Sequence, residues 1–201
     1  SDQLLKWSNS MVAVYQSSIS EEGKNLANQS SKEFFEYIKK YVAERRSKPA
    51  DDLITHLINA EEDNQKLNFD ELVSTCILLL NAGHEATVHT IGNGIKALLL
   101  NKVDCRFLKE KDWHSIVEEI LRYDPPLHIF TRFAYENITI DDVDIAQGEK
   151  ISLVIGASGQ DESRWDKPSE FRPDRRPKTH NSFGAGAHFC LGAPLARLEI
   201  N

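Results

Sequence analysis

Apolar residues recur at helical spacing over most of this chain and alternate over one short stretch. From Ser31 to Arg46, Phe34, Phe35, Ile38, Tyr41 and Val42 line one face of an amphipathic helix, and Pro49 follows its end. Ser1 to Gln16, with Leu4, Leu5, Val12 and Tyr15 available for burial, reads as another helix, and Asp51 to Asn59 as a shorter one. Between the first two, Ser17 to Ser31 is polar and starts as a loop. The longest helix begins near Asn68, which can cap it, and Glu71 completes a capping-box-like pair. Its apolar run passes Leu72, Cys76, Leu79 and Leu80 and continues beyond Gly83 to Leu100. A helix over about residues 69–100 is roughly 45–50 Å long. Apolar side chains around much of its circumference predict that it is buried in the middle of the molecule.

A helix over about 113–123, including Val117 to Tyr123, stops at Pro125-Pro126. Within about 133–155, Ile138 and Ile140, Val143 and Ile145, then Ile151, Leu153 and Ile155 alternate at strand period. Asp141-Asp142 and Gln147-Gly148 supply the turns. Residues 159–182 are irregular and rich in proline and charge, and a last helix follows from about 191, with Pro194 in its first turn. The fold class is mainly α with one small β region, without internal repeat, low-complexity tract or linker.

The chain has 201 residues, enough for one sizeable domain, with 40% hydrophobic and 27% charged residues, as in ordinary globular proteins. A formal charge of −7 argues against nucleic acid as the main partner. No apolar run approaches the roughly 20 residues of a membrane span, and no signal-peptide pattern opens the chain. Cys76, Cys105 and Cys190 are widely spaced, which suits a soluble, cytoplasmic protein with one functional thiolate. Cys76 lies among apolar helical residues and reads as core.

Chemistry concentrates in Phe183-Gly184-Ala185-Gly186-Ala187-His188-Phe189-Cys190-Leu191-Gly192. Glycines at 184, 186 and 192 let backbone approach something flat and bulky. The pattern predicts that Cys190 opens the last helix, where the macrodipole and free N–H groups favour a thiolate. Such a thiolate, presented by a tight loop, is the ligand that pushes electron density onto haem iron.

This loop carries F-x-x-G-x-H-x-C-x-G at Phe183, Gly186, His188, Cys190 and Gly192, and it resembles the cysteine-ligand loop of a cytochrome P450 of the soluble bacterial type. A helix-capping loop with a buried structural cysteine is the plainer alternative. The resemblance runs from the first helix into the last and corresponds to the C-terminal half of such a domain, so the chain reads as a fragment or truncated gene product, a partial domain over 1–201. It implies haem b, with Cys190 on the iron. It also implies that Arg132 and His188 pair with the haem propionates, and that Phe183, Gly184, Gly186, Gly192 and Ala196 line the cofactor on one side, with Ala82 and Gly83 on the other. Glu119, Arg122 and Arg175 would form an ion network behind the haem that holds the loop. Taken alone, Glu119 and Arg122 share a helix face and could equally be a surface pair.

The segment Ala82-Gly83-His84-Glu85-Ala86-Thr87 reads as an interruption of the long helix and corresponds to the oxygen side of the family's site. There the family pattern is A/G-G-x-D/E-T-T/S. Glu85 matches the acid that helps relay protons, whereas Ala86 stands where the oxygen-activating threonine usually is. Thr87, a water or a substrate hydroxyl could replace the missing group, or the Thr87 hydroxyl could bond its own helix backbone. Leu79, Ala86, His128 and Ile129 fall where the substrate pocket is expected. A zinc-protease reading of His84, Glu85 and His89 fails, because five-residue spacing leaves the histidines about 140° out of phase.

The implied activity is a haem-thiolate monooxygenase acting on a small organic substrate with O2 and a ferredoxin or flavin redox partner, without nucleic acid or membrane. The basic run Arg164, Lys167, Arg172, Arg175, Arg176 and Lys178 is either a solvated loop or a surface for an acidic electron donor. Truncation and Ala86 favour a second reading, a non-catalytic haem-binding or interaction fragment. A cysteine hydrolase would need a histidine base near Cys190, and His188 is too close in sequence.

Overall fold

The computed structural model describes residues 2–15, 18–60, 66–104, 113–176 and 179–201. Cys105 and Lys178 lie outside them, as do Ser1, Gln16 and Ser17 at the ends of the expected first helix and loop. The chain divides into two units, Ser1–His84 and Glu85–Asn201.

The first unit contains α1 (Asp2–Val12) with a 3-10 turn after it (Ala13–Tyr15), α2 (Glu21–Ser47), α3 (Leu53–Asn59) and the start of α4 (Phe69–Leu100). α2 begins ten residues before the expected Ser31, within the segment read as polar loop. Ser20 caps it by accepting the Gly23 amide at 3.1 Å, and Glu21 and Glu22 complement the dipole in the first turn. The buried stripe Ala27, Ser30, Phe34, Ile38 and Val42 continues into the polar stretch through small residues, which hydrophobic periodicity alone does not register. Asp52 caps α3 by accepting from the Thr55 amide at 2.9 Å. Asn68 and Glu71 form the reciprocal pair that starts α4, Glu71 N–H to Asn68 Oδ1 at 2.9 Å and Asn68 N–H to Glu71 Oε2 at 2.8 Å. Trp7, Phe34, Ile38, Val42, Leu72, Val73, Cys76 and Ile77 make the core of this unit, with Trp7 stacked on Phe34.

α4 is uninterrupted through Ala82–Thr87, so the small residues there neither break nor unwind it. Nor is it buried all round. Leu78, Leu80, Val88, Ile95, Leu99 and Leu100 are exposed, and packing within each unit takes only one stripe of the helix. In the second unit the buried helix is instead α5 (Trp113–Tyr123), in which every residue from Ile116 to Arg122 is buried. Ala97, Ile116, Ile120 and Phe171 form its core cluster.

The β region is two antiparallel pairs. β1 (Ile129–Phe133) pairs with β4 (Lys150–Val154), with Arg132 opposite Ile151, and β2 (Ile138–Ile140) pairs with β3 (Val143–Ile145) around a turn in which Asp141 and Asp142 both have positive φ. β1 begins before the expected region, because its partner strand lies far along the chain and its own residues do not alternate. Ile155 is not strand but opens α6 (Ile155–Ser158), where the Gly156 amide donates to the His128 carbonyl at 3.1 Å. The last helix, α7, spans Ala193–Ile200 with Gly192 as its cap and Pro194 in the first turn. Cys190 therefore precedes the helix instead of opening it, and its carbonyl accepts from the Ala193 amide at 3.3 Å.

Candidate functional site

The cysteine loop is shaped by its own backbone. Gly184 and Gly186 have φ of 74° and 71°, which favour glycine, and a 3-10 turn covers Gly186–His188. The Phe189 amide donates to the Gly186 carbonyl at 3.1 Å, and the Cys190 amide closes the loop on the Phe183 carbonyl at 3.0 Å. Cys190 is half-buried and unbridged, with the Arg197 guanidinium near enough to interact with it electrostatically. Phe189 and Leu191 beside it are exposed, and a Cβ on Gly186 would meet no protein atom within 4 Å.

Arg132 is exposed on β1. Its guanidinium donates to the Thr131 carbonyl at 3.0 Å and has no carboxylate partner among the described residues. His188 is likewise exposed and has no hydrogen-bond partner among them. A free thiol beside exposed apolar side chains, with an arginine and a histidine lacking protein carboxylates, is a donor set that fits an iron porphyrin bearing two propionates. Gly192 caps α7, and Ala196 is half-buried within that helix, its amide donating to the Gly192 carbonyl at 2.9 Å.

On α5 and the segment after α6, Glu119, Arg122 and Arg175 come together. Arg122 forks onto Glu119 at 2.7 and 2.8 Å, and Arg175 Nε reaches both carboxylate oxygens at 3.1 and 3.2 Å. The Arg172 amide adds a third donor at 2.8 Å. The remaining Arg122 donors go to the carbonyls of Gly159, Pro168 and Glu170. With side chains only 1% and 2% exposed, Arg122 and Glu119 form a buried ion pair, which is tolerable because the groups around it are satisfied. The irregular segment after α6 is thus wrapped around arginine side chains.

A second carboxylate was not singled out in the sequence. Glu118, also buried, accepts from Arg197 of α7 at 2.5 and 3.0 Å and lies 3.0 Å from His180 Nε2. Burial alone raises the Glu118 carboxyl, but hydrogen bonds from His180 and Arg197, with the charge of the guanidinium, hold it down at about 2. The partners are 62 and 79 residues away, so no local pattern announces them.

On the long helix, Leu79, Ala82 and Gly83 belong to the first unit and Glu85, Ala86 and Thr87 open the second. Leu79, Ala82 and Gly83 are exposed, and the other three are half-buried. The carbonyl of Ala86 accepts from Thr90 Oγ1 at 2.7 Å. His128 pairs with Asp124 at 3.3 Å, and Ile129 is exposed at the start of β1. Much of the basic run is internally engaged: Lys167 pairs with Glu170, Arg172 with Asp166, Arg164 donates to the Thr179 carbonyl, and Arg175 serves Glu119. Among the described residues no cluster of three or more His, Cys, Asp or Glu could hold a metal ion, and no helix is long and apolar enough to cross a membrane.

The second unit thus holds a glycine-shaped loop ending on a thiol and a buried Glu119–Arg122–Arg175 ion network on α5 and the segment after it. The sequence model of the Cytochrome P450 family matches residues 4–104 and 114–201, and the chain belongs to that family, whose cofactor is haem b. It is 43% identical over 196 residues to the polyketide biosynthesis cytochrome P450 PksS of Bacillus subtilis (strain 168), covering 96% of this chain and 47% of that protein. It is 38% identical over 200 residues to the biotin biosynthesis cytochrome P450 of the same organism, covering 98% and 50%. The crystal structure of P450BioI in complex with hexadec-9Z-enoic acid ligated acyl carrier protein superposes with a TM-score of 0.92 at 37% identity, over 99% of this chain and 52% of that one. The chain spans about half the length of the curated relatives it matches.

Proposed function

We propose that this chain carries the cysteine-ligand side of a haem-thiolate monooxygenase that inserts one oxygen atom of O2 into a small organic substrate. The observation that carries this reading is the Phe183–Gly192 loop, closed by the Cys190–Phe183 backbone bond around an unbridged thiol. When bound, haem supplies activation of O2 with two electrons and two protons, one oxygen going to substrate and the other leaving as water.

In this reading Cys190 binds iron as thiolate, and Arg132 and His188 bind the propionates by charge-assisted hydrogen bonds. Phe183, Gly184, Gly186, Gly192 and Ala196 give the backbone and small side chains that would let the cofactor lie close. Glu85, with Thr87 or a water, passes protons inward, since Ala86 has no hydroxyl to do so. Leu79, Ala86, His128 and Ile129 contribute to the substrate wall. Glu119, Arg122 and Arg175 hold the loop from behind and touch no reactant. Electrons come from a ferredoxin or flavin protein. The P450BioI complex contains an acyl chain on a carrier protein, so carrier-bound acyl groups belong in the substrate screen.

The deciding experiment is an absorption spectrum of the chain after haem loading, reduction and addition of carbon monoxide. A strongly red-shifted Soret band, lost in Cys190→Ser, is the expected result. Absence of that band in the parent chain overturns the reading. Ala86 favours a second reading, a haem-binding or interaction fragment without turnover; sustained product formation with a redox partner excludes it.

A further inference from the structure

Glu118 and Glu119 are consecutive on α5 and so project about 100° apart. Each carboxylate is buried against a different part of the chain. The hydrogen bonds of Glu119 run to Arg122, Arg172 and Arg175. Those of Glu118 run to both flanks of the cysteine loop.

On the entry side, His180 is 7% exposed and its Nε2 lies 3.0 Å from Glu118 Oε2. Its Nδ1 accepts the Ser182 amide at 3.2 Å, so Nε2 carries the hydrogen and donates to the carboxylate. Ser182 is pinned in turn, its Oγ donating to the Leu121 carbonyl of α5 at 2.7 Å. On the exit side, Arg197 forks onto both oxygens of Glu118. Its guanidinium also sits 4.6 Å from the centre of the Phe183 ring, and the Phe183 carbonyl is the one that closes the loop on Cys190. The internal bonds of the loop set its shape. They do not set its orientation on α5; the two Glu118 contacts do so together with the Ser182–Leu121 bond.

We propose that Glu118 is a positioning residue for the cysteine ligand, tying His180 before the loop and Arg197 after it to α5 so that the Cys190 sulfur is held in one orientation. This rests on the reading of Cys190 as the haem-iron ligand. Losing one tie loosens the loop's attachment to α5 on that flank, so the sulfur would no longer be held in a single orientation.

The test compares haem-loaded parent chain with Glu118→Gln, His180→Gln and Arg197→Lys, and with Phe34→Leu as a control that weakens the separate core of the first unit. The readout is the ratio of non-thiolate to red-shifted thiolate absorption in the reduced carbon monoxide form, alongside the melting temperature. Glu118→Gln is expected to raise that ratio about tenfold, and the other two site variants to raise it less. Phe34→Leu is expected to lower the melting temperature and leave the ratio at the parental value. If Glu118→Gln yields no folded protein, His180→Gln and Arg197→Lys decide, since each leaves Glu118 one partner. Parental ratios in the site variants, or an equal rise in Phe34→Leu, overturn the proposal. A parent chain without the red-shifted band instead overturns the ligand reading beneath it, and the proposal with it.

Discussion

Arg122 and Gly159 meet twice: the Arg122 guanidinium donates to the Gly159 carbonyl at 2.6 Å, and the Arg122 carbonyl lies 2.2 Å from where a Cβ on Gly159 would stand. The second contact is with backbone, so no side-chain rotation can relieve it. Gly159→Ala must push α6 and the following turn away from α5, and with them the carbonyls that satisfy Arg122. The expected cost is at least about 3 kcal/mol, the upper range for overpacking plus loss of a charged hydrogen bond. Urea unfolding of the purified variant measures it, and a loss under about 1 kcal/mol would show that the contact is slack.

The Glu119–Arg122 pair gives a second expectation. Removing one partner leaves the other charged and buried, which costs about 3–5 kcal/mol. Glu119→Gln strands two arginines and is therefore expected to be more damaging than Arg175→Lys, whose side chain is 10% exposed and keeps a charge. Equal losses in the two variants, measured by denaturant unfolding, would refute the ranking.

Glu118 links stability to pH. Its carboxyl falls from an ordinary 4.5 to about 2 in the folded chain, despite burial that opposes this, because His180 and Arg197 favour the charged form. A depressed carboxyl stabilises the fold fully above its unfolded value and loses that contribution as pH falls toward the folded value. That contribution is present at neutral pH and is lost between about pH 4.5 and pH 2. Glu118→Gln is expected to be less stable at pH 7 and to show a shallower decline across that acid window. An unchanged slope in unfolding free energy against pH would contradict the linkage.

These three positions also mark how far sequence carries. The Glu119–Arg122 spacing and the Phe183–Gly192 pattern are local and legible, as are the Asn68–Glu71 cap and the limits of α4 and α5. Glu118 was invisible because its partners lie on two distant segments. The start of α2 leaves no apolar signal because Ala27 and Ser30 carry its buried stripe, and β1 leaves none because a strand is defined by its partner. The burial expected for α4 followed from its composition, yet Ile116–Arg122 of the more polar α5 is the buried run. A buried helix can be charged when each charge meets a designated partner.

Gly83 and Gly92 both lie inside α4, and a Cβ at either would meet no atom within 4 Å. Alanine at each position is therefore expected to stabilise the helix by about 0.5–1 kcal/mol, since it removes unfolded-chain freedom and introduces no clash. The two differ in what the open space is for. If the backbone at Gly83 is where the cofactor and its oxygen ligand approach, Gly83→Ala gains stability and loses carbon monoxide affinity in the haem-loaded, reduced chain. Gly92→Ala gains stability alone. Thermal melting of the haem-free chain and carbon monoxide titration of the loaded one separate the two effects. Matched affinities in the two variants would remove Gly83 from the cofactor side and leave it an ordinary exposed helix position.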